Sequence, residues 1–118
     1  MLSNFNVITL FPEIFQKWIN VGVLSHGIKE KLFEFSSTNL RDYGIGSYKQ
    51  VDDAPYGGGP GMVLMVEPLD YAIKESKKDI NIFLSPSGQQ LNEDLIQDLH
   101  GYESCLLYTS DAADDHHR

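Results

Sequence analysis

The sequence predicts an α/β fold in which a mostly parallel sheet is flanked by helices. Three short runs, Phe5–Leu10, Phe33–Ser37 and Ile80–Leu84, are rich in β-branched or aromatic residues and have the pattern of buried or half-buried strands. Amphipathic segments of helical period lie between them. Because strands that alternate with helices usually pair in parallel, we expect these three strands in one sheet.

The first strand is followed by a predicted helix with a clear start signal. Pro12 suits a first-turn position, and Glu13 is favourable near the positive end of the helix dipole. Gly22 predicts a break after this helix, and a second helical piece is expected from Leu24 to Leu32.

The second half of the chain repeats the alternation. A third helix is expected from Glu67-Pro68 to Lys78, and Asn92 is the predicted N-cap of a fourth. Between them, Ser85-Pro86-Ser87-Gly88 forms a turn directly after the strand Ile80–Leu84. Ligands collect at the carboxyl ends of strands in open parallel sheets, so this turn is a candidate binding element.

Length and composition exclude several classes of protein. The chain has 118 residues, of which 42% are hydrophobic and 22% charged, as in one globular domain. Its net charge of -8 argues against a nucleic-acid surface built from this chain alone. A single cysteine excludes a disulfide framework and fits a reducing compartment. No apolar run approaches the length of a membrane span, and no signal peptide is evident, so we expect a cytoplasmic protein without membrane association.

The most unusual stretch is the glycine-rich segment VDDAPYGGGPGMVLMV, from Val51 to Val66. Gly57-Gly58-Gly59 allows positive φ or a close approach of another molecule to the backbone, while Pro55 and Pro60 stiffen both sides. Taken alone, the segment reads more readily as a tight connection between two core elements. It is not a phosphate loop, because no Gly-Lys-Ser/Thr follows it.

The segment VDDAPYGGGPGMVLMVEPL resembles the signature loop of the bacterial tRNA (guanine-N(1)-)-methyltransferases, the TrmD family of the SPOUT superfamily. The stretches VITLFPEIF and IFLSPSGQQL resemble the same family, so that the resemblance covers roughly Phe5 to Leu99. It implies transfer of a methyl group from S-adenosylmethionine to N1 of the guanosine 3′ of the tRNA anticodon. It also implies a homodimer and a donor pocket made by the loops of a deep trefoil knot.

The resemblance assigns site residues in two stretches. The donor-binding residues it implies are Pro60, Gly61, Ser85, Pro86, Ser87 and Gly88, although the family often has Gln where Ser87 stands. The residues it implies for a substrate-side loop are Asp52, Asp53, Tyr56, Gly57, Gly58 and Gly59. The aspartate that acts as general base in the family belongs to a later part of the chain, so no catalytic residue is assigned here.

From about Cys105 the sequence departs from the family pattern. Ser110 stands about where the family has the first glycine of its next donor loop, and CLLYTSDAADD resembles translated sequencing adapter. We therefore expect residues 1–104 to be the N-terminal part of the methyltransferase domain and residues 105–118 to be a disordered, non-native tail. We also expect this chain by itself not to methylate tRNA, to be poorly soluble and to form no tight dimer. The cluster Asp114, Asp115, His116 and His117 is not assigned as a metal site, since a solvated tail does not preorganise ligands.

A second class of function stays open at this point. A non-catalytic α/β module could bind an anion or another ligand through the main-chain N–H groups of Gly57–Gly61. A longer reading frame from the same source distinguishes the two classes. Continuation into a glycine-rich loop and a basic helical domain would favour the enzyme, and a stop near residue 105 would favour the module.

Overall fold

The computed structural model describes residues 2–53, 63–64 and 66–109. The α-helices are α1 (Pro12–Trp18), α2 (Gly22–Lys29), α3 (Val66–Ser76) and α4 (Glu93–Leu99). The strands are β1 (Asn4–Thr9), β2 (Glu34–Asn39), β3 (Asp52–Asp53), β4 (Val63–Leu64), β5 (Ile80–Leu84) and β6 (Ser104–Thr109). A short 3-10 helix, Leu40–Tyr43, follows β2. Within the described residues, no helix is long and apolar enough to cross a membrane.

Four strands form one fully parallel sheet in the order β2-β1-β6-β5. The three strands predicted from the sequence lie in it as β1, β2 and β5, which confirms the predicted fold class. The registers Phe5↔Phe35 and Phe5↔Cys105 place β1 between β2 and β6. Because all four strands run the same way, their carboxyl ends meet at one edge, where Ser85 follows β5.

The fourth strand corrects the boundary predicted at Cys105. Residues 104–109 form β6, an interior strand, with Cys105 and Leu106 only 1% and 0% exposed. The expectation that the chain leaves the fold at residue 105 is therefore wrong for residues 105–109. The apolar run from Cys105 to Tyr108 is itself typical of a strand. The unusual sequence after it counted for more in the predicted boundary. Residues 110–118, including Ser110 and the Asp–His cluster, lie outside the described residues.

Individual residues at the helix ends set the boundaries of the helices. Gly22, where a break was predicted, adopts φ +58° and begins α2, and nothing lies near a Cβ built at this position. The Asn92 side chain accepts a hydrogen bond of 2.9 Å from the Leu95 N–H, which confirms the predicted N-cap of α4. Helix α3 ends at Ser76, two residues before the predicted Lys78.

The buried core lies between the sheet and α3. Ile8 of β1, Leu106 of β6 and Ala72 of α3 form one cluster with Leu40 and Val51. Val51 is 2% exposed, so the chain passes through this core immediately before it enters β3. The core therefore fixes the base of the glycine-rich segment.

An aromatic group covers part of the sheet on the side of α1. Phe15 and Trp18 of α1 contact Phe35 of β2, with ring centroids 6.0 and 6.4 Å apart. Phe5 meets Phe33 edge to face at 6.1 Å. Such aromatic pairs add to the stabilisation that comes from burial alone.

Candidate functional site

The turn Ser85–Gly88 lies at the carboxyl end of β5, as the sequence predicts. The Gly88 N–H donates to the Ser85 carbonyl at 3.0 Å and closes the turn. Inside it, the Ser87 N–H donates to Ser85 Oγ at 3.3 Å, and the two serine hydroxyls share a hydrogen bond of 3.0 Å. Two hydroxyl groups are thereby held side by side at the edge of the sheet.

Pro86 and Gly88 fit the positions that they occupy in this turn. Proline presets the φ angle that an early turn position requires and has no N–H to leave unpaired. A Cβ built on Gly88 would lie 3.2 Å from the Ser85 carbonyl oxygen, which is tighter than an ordinary van der Waals contact. Glycine therefore keeps the turn compact, and Pro86, Ser87 and Gly88 all remain exposed.

A cavity of about 510 Å³ adjoins the turn. Ser85, Gly88 and Gln89 supply polar groups at one part of its wall. The rest of the wall consists of Asn81 and of apolar side chains, which include Ile82, Leu84, Leu91 and Leu95. The volume falls in the range of small-molecule sites, and apolar walls with a few polar groups are typical of them.

The described part of the glycine-rich segment is its two-stranded stem. β3 and β4 pair antiparallel with the registers Asp52↔Leu64 and Asp53↔Val63. The stem brings the two ends of the segment together, directly after the buried Val51.

The other predicted residues of this segment lie outside the described residues. These residues are Tyr56, Gly57, Gly58, Gly59, Pro60 and Gly61. The prediction that they converge with Ser85–Gly88 on one pocket therefore stays a prediction, and so does the role of each donor-side and substrate-side residue.

A contact that the sequence analysis missed fixes the 3-10 helix to α3. The Tyr43 hydroxyl donates to the Glu75 carboxylate at 2.8 Å. This hydrogen bond raises the pKa of Tyr43 above its usual value, and partial burial and the negative charge of Glu75 act in the same direction. A pair 32 residues apart in the chain leaves no local sequence signal.

No group of three or more potential metal ligands occurs in the part of the chain that the structure describes. The site elements found there are hydroxyl groups, backbone groups and an apolar wall. They suit the binding of an organic ligand that has both polar and apolar parts.

A parallel α/β sheet with a ligand-sized cavity beside a turn at the carboxyl end of a strand is typical of enzymes that bind nucleotide-like ligands. Comparison with known proteins narrows this class. A family model described as tRNA (Guanine-1)-methyltransferase TrmD matches residues 3–111. The chain therefore belongs to the TrmD family of tRNA (guanine-1)-methyltransferases.

Individual relatives agree with this assignment. The tRNA (guanine-N(1)-)-methyltransferase of Spiroplasma kunkelii is 40% identical over 108 residues, which are 90% of this chain and 40% of that protein. The enzyme of the same name from Buchnera aphidicola subsp. Acyrthosiphon pisum is 43% identical over 99 residues, 80% of this chain and 42% of that one. The crystal structure of tRNA (m1G37) methyltransferase from Aquifex aeolicus matches with a TM-score of 0.72 at 34% identity, over 92% of this chain and 50% of that one. The chain thus spans less than half the length of these curated relatives.

Proposed function

We propose that the protein containing these residues transfers a methyl group from S-adenosylmethionine to N1 of a tRNA guanosine, the one 3′ of the anticodon. The observation that carries the proposal is the Ser85–Gly88 turn beside its cavity, in a chain of this family. In the proposal, Pro60 and Gly61 approach the same pocket from the glycine-rich segment.

The residues of the turn fit such a donor. S-Adenosylmethionine supplies an activated methyl group, and it presents hydroxyls, charged groups and a flat aromatic base whose faces pack against apolar side chains. The Ser85 and Ser87 hydroxyls and exposed backbone groups of the turn supply hydrogen-bond partners for its polar parts. Leu91 and Leu95 supply apolar surface for the ring system. The turn then acts by binding and orienting the donor.

The glycine-rich segment supplies the substrate side in this proposal. Asp52, Asp53 and Tyr56 would contact the tRNA, and Gly57–Gly59 would let the guanosine approach the backbone closely. The stem of β3 and β4 holds both ends of the segment in place. No residue among the described ones is assigned as the general base that removes the guanine N1 proton. We further propose a cytoplasmic homodimer with tRNA as its partner.

Calorimetry with S-adenosylmethionine and S-adenosylhomocysteine tests the donor site directly. A Gly88→Val substitution places a branched side chain against Ser85, and we expect it to weaken binding at least about tenfold by opening the turn. Gly101→Ala is the matched control, because a Cβ there meets only the Asp98 carbonyl, at 3.4 Å. Circular dichroism checks that both variants fold. Unchanged affinity in Gly88→Val would contradict the assignment of the turn.

The reaction is tested on the protein expressed from the uninterrupted reading frame that contains residues 1–109. It is incubated with S-adenosylmethionine and unmodified tRNA, and the product is digested and analysed for 1-methylguanosine by mass spectrometry. We expect methylation beside the anticodon in the unchanged protein and a strong loss in Gly88→Val. Binding of inorganic phosphate without any binding of the donor would instead favour a non-catalytic anion-binding module.

A further inference from the structure

The 3-10 helix and α3 are the two supports of the stem that β3 and β4 form. On one side, the chain runs from the 3-10 helix through the buried Val51 into β3. On the other side, only residue 65 separates β4 from the start of α3. The backbone positions of Asp52 and Asp53 in β3 therefore depend on how these two supports lie relative to each other.

One side-chain hydrogen bond joins the two supports. The Tyr43 hydroxyl, at the end of the 3-10 helix, donates to the Glu75 carboxylate of α3 at 2.8 Å. This contact closes the chain from Tyr43 through the stem to Glu75 into a ring. Closing a ring removes conformational freedom from the segment inside it.

Tyr43 lies close to β3 in the fold, although residues 44–51 separate the two in sequence. Ile45 and Gln50 exchange backbone hydrogen bonds of 2.8 and 3.0 Å, which brings the chain before Ile45 beside the chain after Gln50. A Cβ built on Gly44 would overlap the backbone of Lys49, so the two arms are in close contact. A displacement of Tyr43 would therefore displace the entrance to β3 as well.

Apolar packing attaches the 3-10 helix to α3 independently of this hydrogen bond. Leu40 and Ala72 belong to the buried core cluster, and Tyr43, Leu69 and Ile73 pack against it. Such packing is not directional, whereas a hydrogen bond depends on distance and angle. The contact between Tyr43 and Glu75 therefore sets the orientation of the 3-10 helix on α3, and the core keeps the two together.

We propose that Tyr43 and Glu75 are positioning residues for the methyl transfer, because their hydrogen bond holds the stem where Asp52 and Asp53 meet the tRNA. The inference rests on the proposed function, since that function assigns Asp52 and Asp53 to the substrate side. Neither Tyr43 nor Glu75 touches the reacting groups. The bond orders the stem before the tRNA arrives, so less ordering is required on binding.

Hydrogen exchange of the backbone amides in residues 52–53 and 63–64, measured by NMR on the 118-residue chain, tests the position of the stem. A two-residue stem opens locally, without unfolding of the sheet, so its amides report on its own supports. We expect Tyr43→Phe to speed their exchange about 2- to 5-fold, as the loss of one solvent-accessible hydrogen bond implies. Glu75→Ala should have the same effect, and the double variant should add nothing further.

Two controls separate this contact from general effects. Asp70→Ala removes another exposed side-chain pair of α3, the ion pair with Lys74 at 3.0 Å, and should leave the stem unchanged. Val7 is 6% exposed and lies on the face of β1 opposite to Ile8, away from α3. Val7→Ala should speed exchange in the central strands but not in the stem. Unchanged stem exchange in Tyr43→Phe would overturn the proposal, and so would equal acceleration of the stem by Val7→Ala.

Steady-state kinetics of the protein from the uninterrupted reading frame test the consequence for the reaction. We expect Tyr43→Phe to raise the KM for tRNA about 2- to 5-fold and to leave kcat and donor affinity unchanged, because the loss falls on ordering that tRNA binding must then supply. Glu75→Gln keeps an acceptor oxygen and should stay within about twofold of the unchanged protein. Val7→Ala should leave the KM unchanged. An unchanged KM for tRNA in Tyr43→Phe, or a loss confined to kcat, would overturn the positioning role.

The two measurements keep this inference distinct from the proposed function, because hydrogen exchange requires neither donor nor tRNA. If the longer protein fails to methylate tRNA while Tyr43→Phe still speeds exchange in the stem, the proposed function fails and the contact stands as a support of the stem. If methylation and stem exchange in Tyr43→Phe both equal those of the unchanged protein, the proposed function stands and the positioning role fails.

Discussion

Asp79 and Ser104 exchange hydrogen bonds at the start of the two neighbouring strands β5 and β6. The Asp79 N–H donates to Ser104 Oγ at 3.0 Å, and the Ser104 N–H donates to Asp79 Oδ2 at 3.3 Å. The Glu103 N–H donates to the same carboxylate oxygen at 3.2 Å. One residue later the register Ile80↔Cys105 begins, so this pair aligns the strand that leads to the Ser85–Gly88 turn.

Removal of the Asp79 carboxylate should therefore destabilise the sheet. In Asp79→Ala, the N–H groups of Glu103 and Ser104 lose their acceptor, and we expect the free energy of unfolding to fall by about 1–2 kcal/mol. Urea denaturation followed by circular dichroism measures the change. Asp98→Ala is the control, because among the described residues its carboxylate has no assigned partner. Equal stability of the two variants would contradict the alignment role of Asp79.

The sequence correctly predicts those structural features that depend on the pattern of neighbouring residues. The apolar runs that became β1, β2 and β5 and the Asn92 cap were all evident, because periodicity and capping act over a few residues. Contacts between distant residues were not evident. The bond between Asp79 and Ser104 and the entry of Val51 into the core depend on how the chain returns on itself, which a single sequence does not reveal.

The strand β6 shows a different kind of failure. The apolar residues 105–108 have the composition of a strand. The unusual composition after them nevertheless placed the predicted end of the domain before Cys105. For the candidate site, the sequence located the turn Ser85–Gly88 and the pattern of its strand. It could not show the cavity beside that turn, since the wall combines residues of β1, β5, β6 and α4.

The single cysteine provides a direct test of β6. Cys105 is 1% exposed, and burial raises the pKa of its thiol, so in the closed strand the thiol is shielded from the reagent and its reactive thiolate is disfavoured. We expect its reaction with Ellman's reagent in native buffer to be at least about 100-fold slower than in urea. A Cys105→Ala/Val23→Cys variant is the control, because Val23 is 86% exposed and a thiol there should react freely. Equal rates for Cys105 in buffer and urea would show that residue 105 lies outside the sheet.

A partly buried polar bridge joins β1 and β2. Asn6 Nδ2 donates to Ser36 Oγ at 2.7 Å, and Thr38 Oγ1 donates to Asn6 Oδ1 at 3.1 Å. Asn6 is 8% exposed and Thr38 is half-buried, so Asn6→Ala would leave the Thr38 hydroxyl short of an acceptor, whereas the exposed Ser36 can bond to water. We expect a loss of about 1–3 kcal/mol in the free energy of unfolding.

Asn4 offers a matched control on the same strand. Its side chain also donates to a residue of β2, the Glu34 carboxylate at 3.0 Å, but this contact is exposed. Because water replaces an exposed partner, Asn4→Ala should cost less than about 1 kcal/mol. Urea titrations of the two variants give the comparison, and a larger loss in Asn4→Ala than in Asn6→Ala would refute the stabilising role of the partly buried bridge.

The hydrogen bond from Tyr43 to Glu75 should make stability depend on pH in the alkaline range. The folded-state pKa of Tyr43 is raised above its unfolded value of 10.0, chiefly because the protonated phenol donates to Glu75. A group whose pKa is raised on folding stabilises the fold fully below its unfolded pKa, and this contribution is lost as pH rises through the folded pKa. The phenolate that then forms lies against the Glu75 carboxylate and is repelled by it.

Comparison of Tyr43→Phe with the unchanged chain isolates this effect. At about pH 8 the variant should be less stable by at most about 1 kcal/mol, since Tyr43 is only partly buried. Above pH 10 the difference should shrink, and it should vanish once the folded-state pKa is passed. Tyr102→Phe is the control, because it removes a tyrosine hydroxyl that is far from Glu75 in the chain. Urea denaturation at a series of pH values measures both variants. A Tyr43→Phe difference that stays constant from pH 8 into the alkaline range would mean that the hydroxyl and Glu75 do not interact in the folded protein.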